Sequence, residues 1–503
     1  MHPLETTALA TYYAALLLLV GFGAHRLWLT WLLARRGPER VAVIDDARGE
    51  DGELPFVTVQ LPMYNERHVA ERVIRAAAAL SYPRHRFEVQ VVDDSTDDTR
   101  ERVDRVVREL AGRGEPVSVV RRTDRVGYKA GALAHAMQSA SGELLCVFDA
   151  DFVPPADFLM RLVGHFGDAG VGMVQARWDH LNSQSSLLTR AQAVLLDGHF
   201  LVEQPARARG RRMFHFNGTA GIWRKDAIVD AGGWAHDTIT EDLDLSIRAQ
   251  LAGWRAIYRA DVGAPAELPA EMSAFRSQQH RWAKGSIECL KKLAVPLLRS
   301  DEPLWRKAEA LVPLTANLSY VALAIVALLM PVVTDIRRDE GVVLTLALDL
   351  PLFALGTIAV GAFYLRSQSE RDVSVLRSLV HIPFAIAVDI GIALHKARAV
   401  CEALLGHKTG FVRTPKNALV RQSRKLGASA YRARRRLRGL PELALAGWLV
   451  LGAIRTLEGP HPSWLPLPFF VLFVAGFSYV GAVSIADSVG APSRERSVLA
   501  TEA

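Results

Sequence analysis

Long apolar runs lie toward both ends of this 503-residue chain and leave a more polar region between them. Half of the residues are hydrophobic although 22 % are charged, so the apolar residues must be concentrated in particular segments. The run from Leu9 to Leu33 has about the length that spans a bilayer, and comparable runs follow residue 310. This pattern predicts a folded domain joined to several membrane helices rather than one soluble globule.

The apolar runs after residue 310 predict two transmembrane hairpins, with a less apolar segment between them. That segment, Val375–Val400, carries too many polar residues for a helix that faces lipid. A crossing there would also place the basic stretch 408–438 on the outer side, against the preference of Lys and Arg for the cytoplasmic side. We therefore predict an interfacial or re-entrant helix. The predicted spans are Leu311–Val333, Val342–Leu365, Leu443–Ile454 and Trp464–Ile485.

The first apolar run ends in aromatic and basic residues. Trp28 and Trp31, followed by Arg35 and Arg36, resemble the aromatic belt and cytoplasmic flank of a retained transmembrane helix. This assignment places the N-terminal tail on the outer side. Arg26 lies inside the run and is either functional or extended toward the interface, and we favour the second interpretation.

Charge and cysteine content indicate the surroundings of the chain. The net charge is +7, and the excess is concentrated between residues 396 and 438, where it predicts contact with anionic lipid heads. We expect no nucleic-acid partner. Cys146, Cys289 and Cys401 are far apart and have no metal-binding spacing, so we expect reduced thiols in a cytosolic compartment.

Strands alternate with helices between residues 56 and 148. The runs 56–61, 87–92, 117–120 and 144–148 read as strands, and Pro62 is expected to end the first. Such alternation predicts an α/β domain with a mostly parallel sheet, in which ligands bind at the carboxyl ends of the strands. Four acids fall at such ends: Asp93, Asp94, Asp149 and Asp151.

These acids have an ordinary and a functional interpretation. Asp149 and Asp151 could form only a turn, or they could hold Mg²⁺ or Mn²⁺ against the two phosphates of a nucleotide-sugar. Asp93 and Asp94 could be a solvated helix cap, or could accept hydrogen bonds from a nucleobase. Lys129 opens a helix, where a cation opposes the helix dipole but is well placed for a phosphate.

A second group of motifs lies between Phe216 and Trp282. In T-E-D, Thr240 is expected to cap a helix, and Asp242 could be a general base that takes a proton from an acceptor hydroxyl. In Q-Q-H-R-W, Trp282 offers an apolar face to a sugar ring and Arg281 offers forked donors to phosphate.

In this order the motifs resemble those of glycosyltransferase family 2, in the processive cellulose-synthase-like group, whose set is D, D-x-D, (T/E)-E-D and Q-x-x-R-W. The resemblance covers roughly residues 55–416. Four surrounding phrases are most similar to the mannan and glucomannan synthase branch: V-D-D-S-T-D-D, K-A-G-A-L, F-N-G-T-A-G-I-W-R and F-V-R-T-P-K.

The resemblance implies a GT-A (Rossmann-like) catalytic domain, a divalent metal, an inverting reaction, and interfacial helices that lead into a polymer-conducting membrane region. It implies that Asp242 is the base and that Phe411 and Thr414 belong to a gating loop. The resemblance also places Trp282 at the acceptor. Together with the residues themselves, it leads us to expect a nucleotide-sugar site at Asp93, Asp94, Lys129, Asp149 and Arg281, and a metal at Asp149 and Asp151. We expect the acceptor site at Asn217, Gly218, Glu241, Gln278 and Trp282.

We therefore expect a hexosyltransferase of the inner membrane, with a cytoplasmic catalytic domain, that extends a β-linked polysaccharide from GDP-mannose or from UDP- or GDP-glucose. Two alternatives stay open: an enzyme that adds one sugar or polymerises N-acetylglucosamine, and a non-catalytic transporter or scaffold. The expected parts are a transmembrane helix (1–36), the catalytic domain (37–300), a transmembrane hairpin (301–367), a basic interfacial and gating segment (368–440), a second hairpin (441–490) and a tail (491–503).

Overall fold

A seven-stranded sheet forms the centre of the domain that lies between the apolar ends. The computed structural model describes residues 2–35, 53–337, 348–407, 439–458 and 464–489. Strands rich in Val, Ile and Leu are buried on both faces, as expected where helices cover both sides of a sheet. The strands are β1 (Val57–Met63), β2 (Phe87–Asp93), β3 (Val117–Val120), β4 (Leu144–Val147), β5 (Val171–His180), β6 (Gly221–Arg224) and β7 (Arg255–Ala266).

The strand order is β3-β2-β1-β4-β6-β5-β7. All neighbouring pairs are parallel except those of β6, which runs antiparallel to both β4 and β5. The predicted α/β fold with a mostly parallel sheet is confirmed. Because β2 and β4 run in the same direction, their carboxyl ends bring the acids of both strands to one edge of the sheet.

The first strand extends one residue beyond its expected end at Pro62. Strand β4 pairs with β1 only from Val57 to Gln60, so Pro62 lies beyond the end of that partner. Gln60, two residues earlier, uses its carbonyl on the β4 side, where it accepts from the N–H of Phe148. The missing N–H of Pro62 therefore falls where no ladder bond is needed.

Helices cover both faces of the sheet and connect its strands. A π-helical turn, His199–Glu203, interrupts one helical run, and its neighbours α6 and α7 lie between the sheet and the membrane helices. The domain's helices are α2 (Ala70–Ala78), α3 (Thr99–Gly112), α4 (Tyr128–Met137), α5 (Phe158–Leu162), α6 (Leu187–Gly198), α7 (Gln204–Arg209), α8 (Lys225–Asp230), α9 (Glu241–Leu251) and α10 (Met272–Arg299).

Within the described ranges, five helices have the length and composition to cross a membrane. They are α1 (Pro3–Arg35), α12 (Leu318–Ile336), α13 (Leu350–Ser369), α16 (Leu440–Leu457) and α17 (Leu467–Val489). Helices α14 (Val375–Gly391) and α15 (Ala393–Leu404) meet at a bend of 43° and together form a sixth candidate, either a broken span or a re-entrant loop. The interfacial or re-entrant assignment of this segment stays a prediction.

The predicted span Leu311–Val333 is wrong at its start. A separate helix, α11 (Leu304–Thr315), ends before α12 begins. The amide of Asn317, in the turn between them, donates to Ser286 Oγ over 2.8 Å and so ties this turn to α10. Residues 338–347, where the next span was expected to begin, and the basic stretch 408–438 lie outside the described residues.

Arg26 does not extend toward the interface, so that interpretation is wrong. Its guanidinium carbon lies 5.4 Å from the ring centre of Phe363 and 5.8 Å from that of Tyr364, inside the helix bundle. Arg26 also lines two cavities between α1 and its neighbours. The aromatic rings of α13 hold the cation inward.

Candidate active site

A cavity of about 210 Å³ opens at the carboxyl edge of the sheet. It brings together predicted residues from six separate parts of the chain, as expected if the motifs form one site. Asp93 is the exception within the described residues, because it lies behind the cavity wall; Phe411 and Thr414 lie outside the described residues. The predicted residues that line it are Asp94, Lys129, Asp149, Asp151, Asn217, Gly218, Glu241, Asp242, Gln278, Arg281 and Trp282.

Lys129 forms the cationic centre of the cavity. Its Nζ donates to Asp149 Oδ1 over 2.6 Å and to the carbonyl of Gly218 over 2.8 Å. Burial lowers the pKa of Lys129, but the carboxylates of Asp149 and Glu241 outweigh burial and raise it. Lys129 is therefore a protonated cation positioned by α4, with the charge that a diphosphate would meet.

Asp149 and Asp151 are the residues that would hold a divalent metal. Both line the cavity, and carboxylate oxygens suit Mg²⁺ and Mn²⁺. Across the described part of the chain, no group of three or more His, Cys, Asp or Glu side chains could hold a metal ion. Since Mg²⁺ commonly takes one or two carboxylates and completes its shell with substrate phosphates and water, the pair fits a metal bound together with its substrate.

Asp242 and Glu241 form the first turn of α9 and lie side by side in the cavity wall. Burial and the neighbouring carboxyl of Glu241 raise the pKa of Asp242 to about 7, and Lys129 opposes this rise. A carboxylate with such a pKa accepts a proton at neutral pH far more readily than an ordinary aspartate.

Gly218 makes room for this carboxylate. Its φ is +77°, and a Cβ at this position would lie 3.0 Å from Asp242 Oδ2 and 3.5 Å from Lys129 Nζ. A side chain would be strained by the backbone and crowded by both charged groups. The glycine therefore allows the carboxylate of Asp242 and the amine of Lys129 to approach the same turn of the backbone.

Thr240 does not cap α9, contrary to the prediction. Its side chain forms no cap hydrogen bond; instead, Oγ1 lies 3.4 Å from Cys289 Sγ on α10. A Cβ on Gly285 would lie 2.4 Å from the methyl carbon of Thr240, so α9 and α10 are in close contact here. The close passage of α10 turns the hydroxyl away from the helix N-terminus.

Aromatic side chains form the wall opposite the carboxylates. The ring centres of Trp282 and Trp178 lie 6.4 Å apart, and Trp178 stacks on Phe200 at 5.0 Å. Arg281, beside Trp282, has its pKa lowered by burial, against the opposing effect of Asp149 and Glu241. This wall combines apolar faces for a sugar ring with a desolvated cation.

The far end of the cavity differs, because its acids are already paired. Asp94 accepts from Arg122 through both oxygens, at 3.0 Å to Nε and 2.6 Å to Nη2, and Asp93 accepts from Arg121 at 2.8 Å. The guanidinium carbon of Arg125 lies 3.3 Å from the ring centre of Tyr64. No sequence motif marks these arginines, although each lies just after β3.

A second cavity, of about 300 Å³, shares Asp242, Asn217 and Trp282 with the first. It continues past the π-helical turn to Tyr320 on α12 and Asp389 on α14. The residues of the π-helical turn and the membrane helices that line this cavity were not predicted, because no motif marks them. The two cavities connect the carboxylates with the membrane helices.

Comparison with known proteins agrees with this geometry. A model of the family described as "Glycosyltransferase like family 2" matches residues 55–285. Glucomannan 4-beta-mannosyltransferase 1 of Oryza sativa subsp. japonica is 40 % identical over 290 residues, 56 % of each chain. Glucomannan 4-beta-mannosyltransferase 7 of Arabidopsis thaliana is 33 % identical over 480 residues, 91 % of this chain and 83 % of the relative. The match to the Oryza protein therefore spans only about half the length of that relative.

Among solved structures, a mannosyltransferase from Pyrobaculum calidifontis in complex with GDP-Man and Mn²⁺ superposes with a TM-score of 0.55 at 21 % identity. The match covers 80 % of this chain and 100 % of that one, and it supports the GT-A fold. With the family match and the long alignment to the Arabidopsis relative, this chain belongs to glycosyltransferase-like family 2, in its cellulose-synthase-like group.

Proposed function

We propose that this protein is a membrane-bound inverting hexosyltransferase that adds mannosyl or glucosyl units from a nucleotide-sugar to a growing β-linked polysaccharide. One observation carries the proposal. Asp242, whose pKa is about 7, shares a cavity with Lys129, Arg281 and the two carboxylates of the D-A-D motif. The relatives, whose names describe mannosyl transfer to glucomannan, favour GDP-mannose as the donor.

The donor lies along the sheet edge. Its nucleobase lies near Asp94, Tyr64 and Arg125, and its diphosphate lies against Lys129 and Arg281. Asp149 and Asp151 would hold Mg²⁺ or Mn²⁺. When bound, the ion would offset charge on the departing diphosphate. The side chains of Lys129 and Arg281 offset the same charge from the protein side.

Asp242 acts on the acceptor from the opposite side of the sugar. Its carboxylate takes the proton of the attacking hydroxyl while the hydroxyl oxygen forms a bond to the anomeric carbon. The bond from that carbon to the diphosphate oxygen breaks, and the nucleoside diphosphate leaves with the electron pair. Because attack and departure are in line, the anomeric centre is inverted in one step.

The acceptor chain occupies the second cavity. Trp282 and Trp178 would stack on its terminal sugar, and the cavity leads from them toward α12 and α14. We propose that the lengthening polymer moves along this route into the membrane helices. A single-addition enzyme would not need such a route.

We further propose that the protein is a multi-pass protein of the inner membrane with its catalytic domain on the cytoplasmic side. The five apolar helices support the membrane assignment. Arg35, at the end of α1 that joins the catalytic domain, supports the orientation, because basic flanks favour the cytoplasmic side.

Incubation of membranes that contain the protein with labelled nucleotide-sugars tests the proposal. GDP-mannose, GDP-glucose, UDP-glucose and UDP-N-acetylglucosamine are supplied separately, with Mg²⁺, with Mn²⁺ or with a chelator, and products are digested with linkage-specific hydrolases. We expect a long product from GDP-mannose that a β-mannanase degrades. A short product would indicate single addition, and nucleotide release without metal dependence would favour a degenerate domain.

A further inference from the structure

A continuous line of hydrogen-bonded side chains leads from the first membrane helix to the turn beside Asp242. It comprises His25, Glu309, Arg207, Glu203, His199 and Asn217, and we call it the polar chain. Four elements contribute to it besides the Asn217 turn: α1, α11, α7 and the π-helical turn. None of its members except Asn217 belongs to a sequence motif.

In the buried part of the polar chain, basic and acidic side chains alternate. His25 Nε2 lies 3.0 Å from Glu309 Oε1, and the same oxygen lies 2.9 Å from Arg207 Nη1. Arg207 Nη2 lies 3.2 Å from Glu203 Oε1. The side chain of Arg207 is only 1 % exposed, so it is held between two carboxylates away from water. This arrangement holds Glu203 and Glu309 firmly in place, because loss of either contact would leave a buried charge poorly compensated, which is costly.

The other end of the polar chain orients an amide. Glu203 Oε2 lies 3.1 Å from His199 Nδ1, which makes Nδ1 the protonated nitrogen and leaves Nε2 as an acceptor. Asn217 Nδ2 donates to this Nε2 over 3.0 Å. Asn217 Oδ1 accepts from Gln204 Nε2 over 2.8 Å. The amide of Asn217 therefore has one possible orientation, and its second N–H has no partner within the described part of the chain.

Asn217 lines both the cavity with the carboxylates and the cavity that leads to the membrane helices. We propose that His199 and Glu203 are positioning residues that hold the amide of Asn217 for the acceptor sugar, and that α1 and α11 fix them through Arg207 and Glu309. This inference rests on the proposed function, since it assigns the acceptor to the second cavity. The π-helical turn supports it, because such turns inside helices often occur at functional sites.

The consequence is a specific kinetic pattern. Loss of the Glu203 carboxylate frees the ring of His199, so the amide of Asn217 loses one of its two side-chain supports and keeps only Gln204, which weakens acceptor binding. The donor contacts at Lys129 and Arg281 are unchanged. Acceptor KM is therefore expected to rise while donor KM stays the same. A purely structural role would instead lower the amount of folded protein or change both constants together.

The test uses the purified full chain in lipid nanodiscs, with GDP-mannose as donor and β-1,4-mannohexaose as acceptor. Glu203→Leu removes the acceptor for His199 Nδ1–H, whereas Glu203→Gln retains it through the amide oxygen. We expect Glu203→Leu to raise acceptor KM about tenfold, the loss of roughly one hydrogen bond. Glu203→Gln should stay within about threefold of wild type. The matched control is Glu101→Leu, on the exposed face of α3.

An unchanged acceptor KM in Glu203→Leu, or equal values in the Leu and Gln variants, would overturn the inference. If Glu203→Leu does not fold, His199→Phe replaces it, since this change keeps an aromatic ring against Phe200 and removes both nitrogens. Release of GDP from donor alone is measured in parallel. A wild-type protein that neither hydrolyses nor transfers any nucleotide-sugar would refute the proposed function itself, whatever the variants do.

Discussion

Two pairs of adjacent acids lie at the carboxyl edge of the sheet, and their surroundings are opposite. Asp93 and Asp94 end β2, and each carboxylate is paired with an arginine. Glu241 and Asp242 begin α9 and face an open cavity, where Lys129 is shared with Asp149. The first pair is neutralised by the fold, whereas the second keeps a carboxyl with a pKa of about 7. Adjacent acids therefore anchor the fold in one place, whereas in the other they face the cavity and include the carboxylate that we propose as the base.

The largest expected effect comes from removing the reactive acid. Asp242→Asn should lower polymer synthesis by about 10² to 10⁴, the range usual for loss of a general base. Donor binding should persist, because the amide keeps the shape of the site. Labelled product measures the rate and calorimetry measures donor affinity. Asp226→Asn, on the exposed start of α8, is the control, and a normal rate in Asp242→Asn would disprove the assignment.

Breaking the anchoring pair should affect stability most strongly. Arg122→Leu leaves Asp94 buried with only the more distant Arg125, whose Nε lies 4.0 Å away. The side chains of Arg122 and Asp94 are only 9 % and 6 % exposed. Loss of one member of such a pair is expected to cost about 3–5 kcal/mol. Chemical denaturation in detergent measures this loss. The double variant Arg122→Leu/Asp94→Asn should recover part of it, and no recovery would mean that the loss comes from packing alone.

The pH dependence of sugar transfer should further distinguish Glu241 and Asp242 from the arginine-bound pair Asp93 and Asp94. Asp242 must be ionised to accept a proton, so kcat/KM should rise as pH increases and level off above about 7. Because the carboxyl of Glu241 raises the pKa of Asp242, Glu241→Gln should move this inflection to lower pH, by roughly one unit or less. An inflection that stays in place or moves upward would contradict the coupling.

The smallest effect is a stability gain in the inactive variant. An unfolded aspartate ionises near pH 4, whereas the folded pKa of Asp242 is about 7, so the folded chain binds this proton more tightly. Wild-type stability is therefore lost as pH rises from about 4 to about 7. Asp242→Asn lacks this loss, and its thermal midpoint should exceed that of wild type by several degrees at pH 8 but not at pH 4. A lower midpoint at pH 8 would argue against an unfavourable charge at this position.

The acids at the strand ends are a part of the site that the sequence alone predicts. Asp94 and Asp149 follow short apolar runs, and the parallel arrangement of those runs places the acids at one edge. Local patterns are sufficient for this conclusion, because side-chain alternation and strand direction are properties of a few consecutive residues. For the same reason, the T-E-D motif predicts where α9 begins.

The missed features all depend on contacts between distant parts of the chain. Arg122 meets Asp94 from the neighbouring strand, and no local pattern distinguishes it from a surface arginine. Thr240 was expected to cap α9 because its sequence context is that of a cap, but the passage of α10 redirects its hydroxyl. Arg26 faces inward, toward rings on α13 that lie far from it in the sequence. Such outcomes require the tertiary structure.

Gly285 occupies the helical turn that follows Trp282, at the point where α10 meets Thr240. Trp282 lies three residues before Gly285 on α10, and Asp242 lies two residues after Thr240 on α9, so both flank a contact in which a single added methyl group would not fit. We expect the two helices to move together at this contact, so that a shift of Trp282 away from the cavity would also displace Asp242. Binding of the acceptor and removal of its proton would then be linked through the packing of α9 against α10.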